Sequence, residues 1–292
     1  MTRLINSLSD ISARYAALFV DLWGCVHNGV TAYPAAVKAL QDYRATGGKV
    51  ILVTNSPRPW RAVVEQLAGF GVPDDAFDAI ATSGDSARAA MYLGAVGQKV
   101  FHIGTPEEID VFFSPMDLVG DDAVEITRVP LKEAEGIVCT GPEDALADPS
   151  VYRPDFLFAK QMGLKLLCAN PDIVVDRGET REWCAGALAA LYSEMGGKSL
   201  YFGKPHPPIY DLARRRLSQI AKVADADILC IGDGIGTDIM GGMGEGLDTL
   251  FITGGLAAKE FGPDIDNPDP ARLNAWLAEQ NLSATAAIPF LR

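Results

Sequence analysis

The chain has 292 residues, 48% of them hydrophobic, and a formal net charge of −13 at pH 7. That length and apolar content suffice for a sizeable core, more naturally divided between two domains than held in one. An acidic balance without clustered Lys and Arg excludes a nucleic-acid partner, and any anionic small ligand would need local positive charge.

No stretch reaches the ~20 apolar residues that cross a bilayer, so no membrane partner is expected. The opening "MTRLINSLSDISARY" has no apolar signal core. Five cysteines stand singly, without a C-x-x-C, and read as buried thiols in a reducing cytoplasm. "AALFV" (16–20) is the first expected strand, ending at Asp21. Residues 35–48 then read as a helix, with Pro34 at its start and a glycine pair at its end, and "KVILVTN" (49–55) returns as a second strand. A helix is expected over 58–70 and a third strand at "DAIAT" (78–82), before the break "SGD". Residues 84–197 carry their own strands at "KVFHIG" (99–104), "EGIVCT" (135–140) and "LKLLCAN" (164–170). This is material for an inserted α/β layer that could serve as a substrate-selecting lid; the alternative is one large sheet. "ADILCIGDG" (226–234) and "LDTLFITGG" (247–255) complete the pattern as continuous apolar runs, the signature of buried parallel strands.

Polar residues gather where these strands end, the edge at which open parallel sheets bind ligands. They are Asp21, Thr54 with Asn55, Lys204 in "FGKPHPP", and Asp233 with Asp238 in "GDGIGTD". Each alone has a plain reading: a lone Asp caps or turns, "TN" starts a helix, and a lysine is a solvated surface group. Two carboxylates five residues apart in a Gly-rich loop, however, repel each other unless a cation sits nearby. The near-miss to a dinucleotide fingerprint at Gly234-Ile235-Gly236 has Ile239 where a third glycine belongs, and "GGKS" (196–199) has Tyr192 where a P-loop needs glycine.

Taken together and in this order, the residues resemble the haloacid dehalogenase (HAD) superfamily of aspartate-nucleophile phosphohydrolases. "TSGDSARAAM" (82–91), "CANPD" (168–172) and the spacing from "GKP" to "GDGIGTDI" are closer still to its class IIA branch, the p-nitrophenyl-phosphatase-like and sugar-phosphate phosphatases. The resemblance implies a Rossmann-like three-layer α/β/α core from residues 1–83 and 198–292, and an α/β cap over 84–197. Asp21 would be the nucleophile and carry an aspartyl-phosphate. Thr54 and the Asn55 backbone N–H would bind phosphoryl oxygens, and Lys204 would hold nucleophile and phosphoryl group together. Mg²⁺ would be held by Asp21, Asp233 and the Trp23 carbonyl, with Asp238 binding or supporting it. The substrate would be a small phosphorylated metabolite. The electrostatics agree: Mg²⁺ and Lys204 offset the charges of Asp21, Asp233 and Asp238. An all-oxygen site favours Mg²⁺ over Zn²⁺, and His27, His102 and His206 are too scattered to form a zinc site.

The chain departs from the family pattern at Trp23, where typical members carry a second Asp that protonates the leaving group. Such acid–base help is commonly worth ~10²–10⁴-fold. The dehalogenating members also lack that acid, but they have no use for Asp233 and Asp238. His27, in the same flap-like segment, is a candidate replacement as an acid–base group; the plainer alternative is a loop histidine satisfied by backbone. The rival to an enzyme is a phosphate- and metal-binding regulatory protein without turnover. Oligomeric state is not legible.

Overall fold

In the computed structural model, which describes residues 2–116, 119–177 and 180–292, the chain forms two compact units. The first runs to Thr54 and adds Val64–Ala81 and Tyr210–Arg292; the second comprises Asn55–Val63 and Thr82–Ile209. Strands β1 (Arg3–Leu4), β2 (Ala17–Val20), β3 (Lys49–Thr54) and β4 (Ala79–Thr82) open the first sheet. The chain then builds β5 (Lys99–Ile103), β6 (Thr127–Arg128), β7 (Gly136–Cys139), β8 (Lys165–Cys168), β9 (Val174–Arg177), β10 (Thr180–Trp183) and β11 (Lys198–Tyr201). It returns to the first sheet with β12 (Ile228–Gly232), β13 (Asp248–Ile252) and β14 (Ala286–Ile288).

The first sheet has seven strands in the order β1-β14-β13-β12-β2-β3-β4, paired in parallel from β1 across to β3. Its centre is apolar without alternation because both faces are covered: Ala17, Leu18, Phe19 and Val20 are all at most 2% exposed. The helix Pro34–Ala45 begins with proline at its first turn and buries Ala36, Val37, Leu40 and Tyr43. It ends earlier than the expected 48, because Gly47 turns the chain at φ +97°. Tyr43 then donates its hydroxyl to the Tyr15 carbonyl at 2.9 Å, tying the helix to the entry of β2.

The second unit has its own parallel sheet, in the order β11-β8-β7-β5-β6. Period-2 alternation divides its core. Ile137, Cys139, Leu166 and Cys168 pack with Phe156, Leu188 and Tyr192, while Val138 and Leu167 face the other way, onto Ala87, Met91 and Phe112. The strand Lys198–Tyr201, expected in the core segment, pairs with β8 in this second sheet. An antiparallel pair, β9 with β10, forms a separate two-stranded sheet. The alternative of one large sheet is set aside by these separate sheets. The five cysteines are buried and form no disulfide. Among the described residues no helix is long and apolar enough to cross a membrane.

Candidate active site

Strand β2 is where the first sheet changes direction: β3 and β4 follow on one side, and β12 to β14 lie on the other. Ligands of such sheets bind beyond the carboxyl ends at this switch point. Val20 is level with Leu52 on β3 and with Ile231 on β12, and the Asp21 N–H continues the ladder to the Ile231 carbonyl at 2.8 Å. Asp21, Thr54 and Asp233 therefore stand at the same edge of three neighbouring strands, each 8% exposed or less.

The carboxylates of Asp21 and Asp233 and the Sγ of Cys25 converge, with one ligand atom of each within 4.8 Å of the others. The Leu256 N–H donates to Asp233 Oδ2 at 3.0 Å and fixes that carboxylate. Two glycines make room for it: a Cβ on Gly24 would fall 2.3 Å from the same oxygen and one on Gly255 2.0 Å. Gly24 has the further constraint of φ +77°. This cradle and its two hard oxygen donors fit a small divalent cation. Asp238 is not a member of the convergent group. Its Oδ2 accepts the Gly234 N–H at 3.1 Å and the Thr237 hydroxyl at 3.2 Å, so it braces the loop that presents Asp233.

Trp23 and His27 belong to the turn after β2. The N–H groups of Cys25, Val26 and His27 all lie on the Leu22 carbonyl, at 3.3, 2.8 and 3.1 Å. The indole of Trp23 lies on Gly29, where a Cβ would meet its ring at 2.2 Å, and meets the His27 ring edge-on, centroids 5.5 Å apart. His27 is 4% exposed, and its other neighbour is Phe70 at 5.0 Å. The Gly29 N–H donates to His27 Nδ1 at 3.0 Å, which leaves the ring proton of the neutral form on Nε2. Burial pushes its pKa down to about 4. The bond at Nδ1 gives the ring a turn-forming role.

Asn55 and Lys204 meet within the second unit. The Asn55 side chain spans the Lys204 backbone, accepting its N–H at Oδ1 (2.7 Å) and donating from Nδ2 to its carbonyl (3.2 Å). Nδ2 also donates to Asp172 Oδ1 at 2.8 Å. Gly203 is required beside this clamp, because its Cβ would come within 2.5 Å of Asn55 Oδ1 and 2.7 Å of Ser83 Oγ. Lys204 itself is 3% exposed.

Sequence reasoning missed Cys25, the glycines at 24 and 255, and Asp172. The glycine before Cys25 and the "GG" ending the run at 255 were readable as close-approach signals. A cysteine amid apolar residues gave none.

A model of haloacid dehalogenase-like hydrolases matches residues 18–114, and a HAD-hydrolase-like model matches residues 201–273. A 5'-nucleotidase from Bacillus subtilis is 23% identical over 275 residues, covering 90% of this chain and 98% of its own length. The structure of a glycerol phosphate phosphatase from Mycobacterium tuberculosis in complex with magnesium aligns with 92% of this chain and 75% of that one, at 22% identity and TM-score 0.65. The structure of a hydrolase of the haloacid dehalogenase-like family from Brucella suis covers 99% of this chain and 100% of its own, at 39% identity and TM-score 0.83. Likeness of that degree over the full length of both chains makes this protein a hydrolase of the haloacid dehalogenase-like family.

Proposed function

We propose that the chain is a Mg²⁺-dependent phosphohydrolase that acts on a small phosphorylated metabolite through an aspartyl-phosphate on Asp21. The observation that carries this reading is the buried convergence of Asp21 and Asp233 where the parallel sheet changes direction. The phosphatase and 5'-nucleotidase relatives, and the magnesium in one of them, support it.

In this reading an Asp21 oxygen attacks phosphorus, the bond to the leaving oxygen breaks, and its electron pair departs with that oxygen. The Thr54 hydroxyl and the Asn55 backbone N–H donate to phosphoryl oxygens, and the Lys204 ammonium offsets their charge. Water then attacks the acyl phosphate and frees Asp21. Asp21, Asp233 and the Trp23 carbonyl would hold Mg²⁺, with Asp238 bracing the loop between. Bound Mg²⁺ supplies charge neutralisation for the carboxylates and the phosphate. We read the second unit, built around the insertion 84–197, as the cap that selects the substrate and excludes water. Five buried cysteines without a disulfide suit a reducing cytoplasm. The rival expectation, a binder without turnover, draws no support from relatives that are enzymes.

The test is phosphate release from a panel of small phosphate esters. Asp21→Asn, which keeps the volume but cannot attack phosphorus, should abolish release. Chelation should remove activity and Mg²⁺ restore it. Wild-type turnover by Asp21→Asn, or turnover indifferent to chelator, overturns the reading.

A further inference from the structure

Cys25 has no part in the phosphoryl transfer proposed above, yet its sulfur belongs to the same buried group as the two carboxylates. The residue is 1% exposed. The turn of N–H groups onto the Leu22 carbonyl fixes its backbone relative to Asp21, and Gly24, immediately before it, is the residue whose missing Cβ admits Asp233. Three donors from two separate strand ends, one soft and two hard, thus face a common point.

Carboxylate oxygens serve Mg²⁺ and Zn²⁺ alike, whereas a thiolate strongly favours Zn²⁺ and its heavier congener Cd²⁺. An ion centred among three atoms within 4.8 Å of one another would lie at most about 2.8 Å from each, against bonds of roughly 2.0–2.3 Å at zinc. Closing that gap needs at most roughly 0.5 Å from the sulfur and 0.8 Å from each carboxylate oxygen, within the reach of small side-chain rotations.

We propose that Asp21, Cys25 and Asp233 form a site for a thiophilic divalent cation that overlaps the Mg²⁺ position and inhibits the enzyme by sequestering its nucleophile. On binding, the Cys25 thiol releases its proton to solvent and the sulfur lone pair goes to the ion. The inference rests on the reading of Asp21 and Asp233 as a metal-holding pair, but its test does not depend on turnover.

Cd²⁺ is titrated into the full-length, metal-depleted chain while the near-ultraviolet charge-transfer absorbance of a cadmium–thiolate bond is followed. One equivalent should produce the band, and added Mg²⁺ should weaken Cd²⁺ binding competitively. Cys25→Ser should lose the band and bind Cd²⁺ roughly tenfold or more weakly, and Asp233→Asn should also weaken binding. A band undiminished in a folded Cys25→Ser protein would assign the thiolate to another cysteine and overturn the proposal. A wild-type Cd²⁺ isotherm unmoved by Mg²⁺ would do the same without any variant. An active, Mg²⁺-dependent enzyme with no band loses this inference alone. A chain showing the band but releasing no phosphate with any metal keeps the site and loses the functional reading.

Discussion

The indole at position 23 packs into its own turn, against Gly29 and the edge of His27, so the side chain fills space there. The proposed mechanism, with no carboxylate at position 23 and His27 Nδ1 engaged by the Gly29 N–H, gives the leaving group no side-chain acid. Aryl and acyl phosphates should therefore be hydrolysed faster than alkyl phosphates, whose alkoxides are poor leaving groups. Trp23→Asp should raise kcat/KM on alkyl phosphates, approaching the ~10²–10⁴-fold expected of a positioned acid. Paired kinetics on an aryl and an alkyl ester, after thermal melting has shown the variant folded, would decide it; no gain on the alkyl ester contradicts the account. That Asp21, Thr54 and Asp233 end strands was legible in the sequence because each interrupts an apolar run. The side-chain role of Asn55 was not, because the residue it clamps, Lys204, lies 149 positions away.

Among the elements, the clamp of Asn55 on the Lys204 loop, both within the second unit, has a measurable consequence. Asn55→Ala removes both backbone bonds to Lys204, and at ~0.5–1.5 kcal/mol each the better-ordered loop should be lost at a cost of about tenfold or more in kcat/KM. Unchanged kinetics would show that Lys204 is held by other means. On β5, burial, helped by Arg128, lowers the pKa of His102 to about 4; the ring pairs through Nε2 with Thr140 Oγ1 at 3.0 Å. The folded chain then binds this proton less readily than the unfolded chain does. The neutral histidine contributes its full stability above pH ~6.5 and loses it as pH falls toward about 4, at up to about 1.4 kcal/mol per pH unit. His27 adds to the same acid limb. Urea midpoints across this range should fall with pH, and His102→Gln should flatten the slope; an equal slope in both proteins rules the assignment out. Long apolar runs located the central strands within a residue or two. The pair of strands Val174–Arg177 and Thr180–Trp183 was not legible, because the two carry charged residues and lack the alternation that marks a half-buried strand.

For the whole molecule, the division into two sheets was legible from the two groups of apolar runs and the long polar-punctuated stretch between them. The border at β11 was not, since Lys198–Tyr201 carries no sign of which sheet it joins. Net charge is the other property of the chain as a whole. At −13, its field opposes the approach of a phosphate dianion, and the Debye length shrinks from about 30 Å to about 8 Å between 0.01 M and 0.15 M salt. At saturating Mg²⁺, kcat/KM for a small phosphate ester should rise over that interval. A fall would show that the cationic groups of the site outweigh the acidic surface at the distances from which substrate is drawn.

The split construction of the first unit also orders events at birth. β12 lies directly beside β2 and supplies Asp233 to the switch point, but it begins at Ile228, long after Thr82 has closed β4. At ribosomal speeds of ~5–20 residues per second the early strands wait on the order of ten seconds for their central neighbour. The second sheet, by contrast, is complete once Tyr201 has emerged. On the ribosome the inserted unit should therefore become resistant to protease before the flanking one, and β2, wholly apolar, should be the segment most in need of a chaperone meanwhile.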